Sequence, residues 1–211
     1  MIKAILFDMD GVIIDSNHIH YETWSEVFKK YSIKIDKKEF GMHLGESAYH
    51  FTEHFVKSAK IKETTKNVLK LILEQSKKDR HKVLLKEGVK ETLPKIKRRF
   101  KIALATGANR EWADYIVKKY SLDFDFIIGG DEVNRAKPSP EIFLRCAMKL
   151  GALEHECVVI EDAIFGMQAA KRAGMRVIAI PDAFTKYQDH SIADISLKTI
   201  SELPAILDSI N

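Results

Sequence analysis

Two aspartates two residues apart, Asp8 and Asp10, close an apolar run of Ile2, Ala4, Ile5, Leu6 and Phe7 and are followed at once by Gly11. Side chains at alternate positions of a strand leave on the same face, so both carboxylates can address one site while Met9 points elsewhere, and the glycine permits a tight exit. Two carboxylates held that close repel each other. Either a cation sits between them or one of them keeps a proton, and both outcomes serve chemistry.

Further polar residues end other apolar runs. Thr106 follows residues 102 to 105, and the pair Glu161 and Asp162 follows residues 157 to 160. The short run ahead of Asp8 is partly β-branched and almost unbroken, the pattern of a strand buried on both faces. From Leu85 onward such runs alternate with helical spacing: helices at 88 to 99, 111 to 120, 140 to 150 and 164 to 173, strands at 102 to 105, 124 to 128, 157 to 160 and 176 to 180, and a closing helix at 200 to 210. Pro94 sits inside the first of these helices, where a proline breaks or kinks. This alternation predicts an α/β fold with a doubly wound, Rossmann-like parallel sheet, whose ligands bind beyond the carboxyl ends of the strands. Residues 16 to about 85 interrupt it with helical spacing alone. Ile19, Trp24, Val27, Phe28 and Tyr31 line one helix, with Ser16 or Asp15 as its N-cap. A break follows from Gly41 to Gly45, and helices are expected over 47 to 59 and 62 to 82, the last with Val68, Leu69, Ile72 and Leu73 as its apolar face. The expected domains are a catalytic core of residues 1–15 plus 86–211 and an inserted all-helical cap of residues 16–85.

Composition bounds the function. The chain has 211 residues, 45% hydrophobic and 30% charged, with a formal net charge of +4, enough for a sizeable core and far from a disordered composition. Its lysines are scattered over helical faces and form no basic block, which argues against a nucleic-acid partner. Two cysteines, Cys146 and Cys157, lack metal-ligand spacing and read as core thiols of a reducing compartment. Lys3, Asp8 and Asp10 argue against a signal peptide, and no apolar run approaches the roughly 20 residues of a membrane helix. A cytoplasmic protein, monomer or weak dimer, is expected.

Four motifs then occur in order: Asp8-Met9-Asp10-Gly11-Val12, Thr106-Gly107, Lys137-Pro138-Ser139-Pro140 and Glu161-Asp162-Ala163. In these the chain resembles the haloacid dehalogenase superfamily, in the subgroup with a helical cap inserted after the first strand. The resemblance implies that Asp8 is the nucleophile toward phosphorus and that Asp10 is the general acid and then the base, with close anionic neighbours raising its pKa. It implies Mg²⁺ held by Asp8, the backbone carbonyl of Asp10 and Asp162, with Glu161 either a ligand or just behind one. Lys137 would neutralise Asp8 and the phosphoryl oxygens, while Thr106 and the Gly107 amide would donate to them; a plain helix N-cap is the competing reading of Thr106. Asn109 or Arg110 would touch the phosphate or the substrate, and His20 is either a substrate-side residue near Asp10 or a hinge residue. Asp15 is expected to do no more than cap a helix, and Asp131 either supports Lys137 or holds its loop.

The activity these residues imply is Mg²⁺-dependent hydrolysis of a small phosphorylated metabolite, a sugar or polyol phosphate. A β-phosphoglucomutase-type reaction is the alternative, although Glu46, Ser47 and Ala48 stand where an arginine clamp for a second phosphate is called for. A Schiff-base lysine, as in phosphonoacetaldehyde hydrolase, is discounted because the cap lysines read as surface. A catalytically silent ligand-binding protein is the reading from another class.

Overall fold

The structure is a computed structural model, and it describes residues 1–210. Its centre is β1 (Ala4–Phe7), all four residues of which are buried. Ile5 and Phe7 point into one apolar cluster and Ala4 and Leu6 into another on the opposite face, which is why the run carries no polar alternation. On one side β1 pairs in parallel with β4 (Lys101–Ala105), which pairs with β5 (Phe126–Ile128). On the other it pairs with β6 (Cys157–Glu161), followed by β7 (Arg176–Ala179) and β8 (Ile195–Ser196). The order β5-β4-β1-β6-β7-β8 reverses direction at β1, and such a switch point opens a crevice at the carboxyl ends of the strands. Phe7 is in register with both Leu104 and Ile160, so the next residues, Asp8, Ala105 and Glu161, arrive at one level.

Helices α5 (Val89–Lys97), α6 (Arg110–Tyr120) and α9 (Leu203–Ile210) cover one face, and α7 (Glu141–Leu150) and α8 (Ile164–Arg172) the other. Pro94 neither ends nor breaks α5: it is exposed and little more than one turn inside the helix, and Arg98 N still donates to Pro94 O at 3.3 Å. Cys146 and Cys157 are buried free thiols. No helix among the described residues is long and apolar enough to cross a membrane.

Between β2 (Ile14–Asp15) and β3 (Leu84–Leu85) lie α1 (Asn17–Lys29), α2 (Lys37–His43), α3 (Ala48–Ser58) and α4 (Thr65–Asp79). β2 and β3 form a small antiparallel pair that the sequence reading did not anticipate, since two residues on each side give no periodicity. These helices enclose their own aromatic core of Trp24, Phe28, Phe40, Phe51 and Phe55, with Val68 and Ile72 from α4. Two expectations are corrected here. The break expected to begin at Gly41 falls later, at Leu44 and Gly45, because Asp36 caps α2 through Glu39 N and the helix runs on through Gly41. Leu73 is not part of the packed face of α4 but 48% exposed, because α4 meets α1 and α3 through Val68 and Ile72 and turns Leu73 toward the cleft below.

Phe40 is fully buried and its ring meets those of Tyr21, Trp24 and Phe51. Phe40→Ala is therefore expected to destabilise the chain by about 3–5 kcal/mol, read from urea denaturation; a loss below about 1 kcal/mol would contradict this packing.

Candidate active site

Where β1 ends, the Asp8 amide donates to Ile160 O at 2.9 Å, which fixes the carboxylate at the lip of the sheet. The Lys137 ammonium, from the loop ahead of α7, donates to Asp8 Oδ1 at 2.5 Å, to Glu161 Oε1 at 2.6 Å and to Ala105 O at 3.3 Å. All three charged groups are nearly inaccessible. Burial by itself lowers the proton affinity of Lys137, but the charges of Asp8 and Glu161 and their hydrogen bonds outweigh it, and the lysine is held above its ordinary range. Burial is also the main cause acting on Asp8, with Glu161 and Asp10 adding to it and Lys137 opposing, and it pushes the carboxyl up to about 8.

Asp162 completes the cluster, for one carboxylate oxygen from each of Asp8, Glu161 and Asp162 lies within 4.8 Å of the others. Asp162 is raised well above the carboxylate range, first by burial and then by Glu161, Asp182 and Asp8. Glu161 Oε2 is oriented by the amides of Asp162 and Ala163 at 3.1 and 3.3 Å. Two glycines make the room. A Cβ on Gly166 would fall 1.7 Å from Glu161 Oε1, and one on Gly11, whose φ is +80°, would fall 2.0 Å from Asp162 Oδ2. Three buried carboxylates facing one ammonium leave excess negative charge in a low-dielectric pocket, and all the donors are hard oxygens; the set fits a divalent cation of the Mg²⁺ type.

Asp10 departs from its expected state. Its carboxylate turns from this cluster and accepts from Ser16 Oγ at 2.6 Å and from His20 Nε2 at 3.3 Å, with Thr106 Oγ1 at the 3.5 Å limit. Burial raises its proton affinity, but the hydrogen bonds of His20 and Ser16 and the charges of His20 and Lys137 prevail, so its pKa is lowered, not raised. The sequence showed the anionic neighbours and hid the donors. Ser16 stands at the N-cap position of α1 without capping it, because its hydroxyl is spent on Asp10, and Asp15 instead meets His18 in an exposed pair at 3.4 Å.

The neighbouring loop resolves the remaining candidates. Asn109, not Thr106, caps α6, accepting from Trp112 N at 2.9 Å, while Thr106 Oγ1 accepts from Ala108 N at 3.0 Å. Arg110 is directed to Asp114, Ile127 O and Glu132. Asp131 accepts from Arg110 N at 2.8 Å and holds the loop without meeting Lys137. Gly107 borders the cleft with open space where a Cβ would stand, so no close approach within the protein demands a glycine there. Asn17 and Asp182 went unnoticed in the sequence: Asn17 Nδ2 donates to Asp162 Oδ2 at 2.9 Å and to Asp182 Oδ2 at 2.8 Å. Asp182 had a signal, as an acid three residues beyond β7; Asn17 had none.

Above the acids lies a cleft of about 480 Å³. Asp8, Asp10 and Lys137 form its floor, and Trp24, Leu44, Phe51 and Leu73 of the helical insertion face Trp112 of the core across it. Glu46 also borders it, paired to His43 at 2.8 Å.

The profile of haloacid dehalogenase-like hydrolases matches residues 5–180. The phosphorylated carbohydrates phosphatase of Thermotoga maritima is 32% identical over 181 residues, 83% of each chain. The fructose-1-phosphate phosphatase YqaB of Escherichia coli is 30% identical over 185 residues, 84% of this chain and 95% of that one. Among solved structures, β-phosphoglucomutase from Clostridium difficile superposes with a TM-score of 0.80 at 25% identity, covering 99% of this chain and 96% of that one.

A carboxyl whose pKa rises on folding stabilises the metal-free protein fully below its unfolded value and loses that contribution as pH rises through the folded one. With Asp8 moving from 3.8 to about 8, the melting temperature of Asp8→Asn minus that of the native chain, both freed of metal with chelator, should grow from pH 4 to 8 and then level off. A difference independent of pH would refute the raised pKa.

Proposed function

The chain belongs to the haloacid dehalogenase-like hydrolases, and from that premise we propose that it is a Mg²⁺-dependent phosphatase of small phosphate monoesters, sugar or polyol phosphates, working through a phospho-aspartate. The observation that carries this reading is the Lys137 ammonium bonded to both Asp8 and Glu161, with Asp162 beside them, at the floor of a cleft. That arrangement offers one carboxylate to phosphorus and cationic partners to the phosphoryl oxygens. Relatives named for phosphorylated carbohydrates and for fructose 1-phosphate support the substrate class.

In this reading an Asp8 oxygen attacks phosphorus in line as the bond to the ester oxygen breaks, and Asp10 gives that oxygen its proton so that a neutral alcohol departs. Asp10, now ionised, takes a proton from water, whose oxygen attacks phosphorus and releases Asp8 and inorganic phosphate. The donors that hold Asp10 below the usual range, His20 Nε2 at 3.3 Å among them, suit it to the second half, and the proton it takes from water there restores it for the next cycle. Lys137 opposes the rise in the proton affinity of Asp8 and offsets charge on the phosphoryl oxygens, and Thr106 and the Gly107 amide donate to them. Mg²⁺, held by Asp8, Asp162 and the Asp10 carbonyl with Glu161 behind, supplies further charge neutralisation at the phosphoryl group when bound. Residues 16–85 act as a cap over the core of residues 1–15 and 86–211, and their aromatic wall packs the carbon skeleton of the leaving group.

A second reading, the phosphosugar mutase, is favoured by His20 beside Asp10 and by the likeness to β-phosphoglucomutase. It needs a cationic hold on a second phosphate, and the insertion's loop offers Glu46 instead.

A panel of phosphate esters, assayed for released phosphate and for isomerised product, tests both readings. Release without isomer is expected, isomer without release would transfer the assignment to the mutase, and neither would leave a ligand-binding protein. Asp8→Asn should lower turnover by about three orders of magnitude or more, and full activity in that variant would sink the mechanism.

A further inference from the structure

A segment of the core reaches across and grips the helical insertion. After β7, Asp182 Oδ1 accepts from the amides of Phe184 and Thr185 at 2.7 and 2.9 Å, turning the chain so that Phe184 leaves the core. Phe184 is buried among the aromatics of the insertion, against Tyr21 and Phe40. The approach is so close that a Cβ on Gly41 would lie 2.3 Å from Phe184 O. Four residues on, Gln188 Nε2 donates to Gly41 O and Leu44 O at 2.8 and 3.0 Å, while its Oε1 accepts from Ile164 N of the core at 2.6 Å.

Both ends of this strap come back to Asp162. At one end His190 Nε2 meets Asp162 O at 3.1 Å. At the other, Asp182 shares the Asn17 amide with Asp162 Oδ2. Asn17 is the first residue of α1, is buried, and spends one N–H on each carboxylate. With Oδ2 so held, the Asp162 side chain cannot rotate freely, and one of its carboxylate oxygens is kept within 4.8 Å of those of Asp8 and Glu161.

We propose that Asn17 is a positioning residue for the metal centre, which makes the orientation of Asp162 conditional on the helical insertion being seated in the strap Asp182 to His190. Withdrawing α1, or lifting Phe184 from its aromatic pocket, removes a hydrogen bond from Asp162 without touching any group at the reacting phosphorus. The inference rests on the Mg²⁺ assignment above.

Titration calorimetry of the full chain with Mg²⁺ tests it without any turnover. Asn17→Ala is expected to weaken Mg²⁺ binding by about 10–100-fold, as loss of a group that orients a metal ligand does. Gly41→Ala, which touches only the strap, should weaken it in the same direction by a smaller factor. With the phosphate ester that the native chain turns over, the Asn17→Ala variant should need correspondingly more Mg²⁺ for half-maximal rate while the substrate KM at saturating Mg²⁺ stays near native. Should Asn17→Ala fail to fold by circular dichroism, Asn17→Ser, whose hydroxyl proton reaches one carboxylate at most, replaces it. Native Mg²⁺ affinity in the Asn17 variant, no change in Gly41→Ala, or a native chain that binds no Mg²⁺ would each overturn the proposal. A native chain that binds Mg²⁺ in the manner described but hydrolyses no ester would overturn the phosphatase reading and leave this one standing.

Discussion

The Lys137 ammonium, 2.5 Å from Asp8 and 2.6 Å from Glu161, is the contact on which the rest of the site depends. Buried carboxylates at this spacing would otherwise protonate or force the strand ends apart, because neither water nor distance screens them. One ammonium relieves part of that repulsion, and the parallel sheet supplies the remainder of the solution: Phe7 in register with Leu104 and Ile160 delivers the acids to one level without a loop having to reach. Removing Lys137 would leave the acids uncompensated, whereas removing one acid would leave the lysine a partner. The pair is thus asymmetric in what it protects: Lys137 holds down a proton affinity of Asp8 that burial and the neighbouring acids raise.

Asp8 and Asp10 sit two residues apart and acquire opposite proton affinities. Asp8 faces anions in a dry environment and is raised; Asp10 faces a serine, a histidine and a threonine and is lowered. The difference is built by α1, which leaves β2 and returns Ser16 and His20 to Asp10 within one turn of helix. The helical insertion is therefore part of the chemistry of the core at its point of departure, as well as a roof over the cleft. The apolar wall of Trp24, Leu44, Phe51 and Leu73 stands above the acids and Lys137, so the cleft has an apolar side and a charged floor.

The sheet and the acids were legible in the sequence for one physical reason: a strand buried on both faces has no polar alternation, so the first polar residue after it marks its carboxyl end. Asp8, Thr106 and Glu161 were found that way, and the structure brings them together with Lys137 and Asp162. What stayed hidden depends on which surfaces meet. Helical spacing put Leu73 on an apolar face but could not say that this face opens to a cleft. Gly41 looked like a break, when its lack of a Cβ admits the backbone of Phe184 from the other side of the fold. Asn17 and Asp182 stand 165 residues apart and come together only because β7 ends near the start of α1. The proton affinity of Asp10 was misjudged for a related reason, since sequence shows charges nearby in the chain and not the hydroxyl that a helix start turns inward.

Gly166 carries a consequence for how this chain can change. A methyl group there would overlap the Glu161 carboxylate outright, at 1.7 Å, so no residue can replace the glycine while the glutamate keeps its place. The reverse does not hold: Glu161 could shorten first, leaving a small void, and only then would position 166 be free to grow. Mutational paths through this pair therefore run in one direction, through an intermediate that has already given up the second partner of Lys137. A lineage that loses the glutamate can fill the space behind it, and once filled, the space has no single-step return.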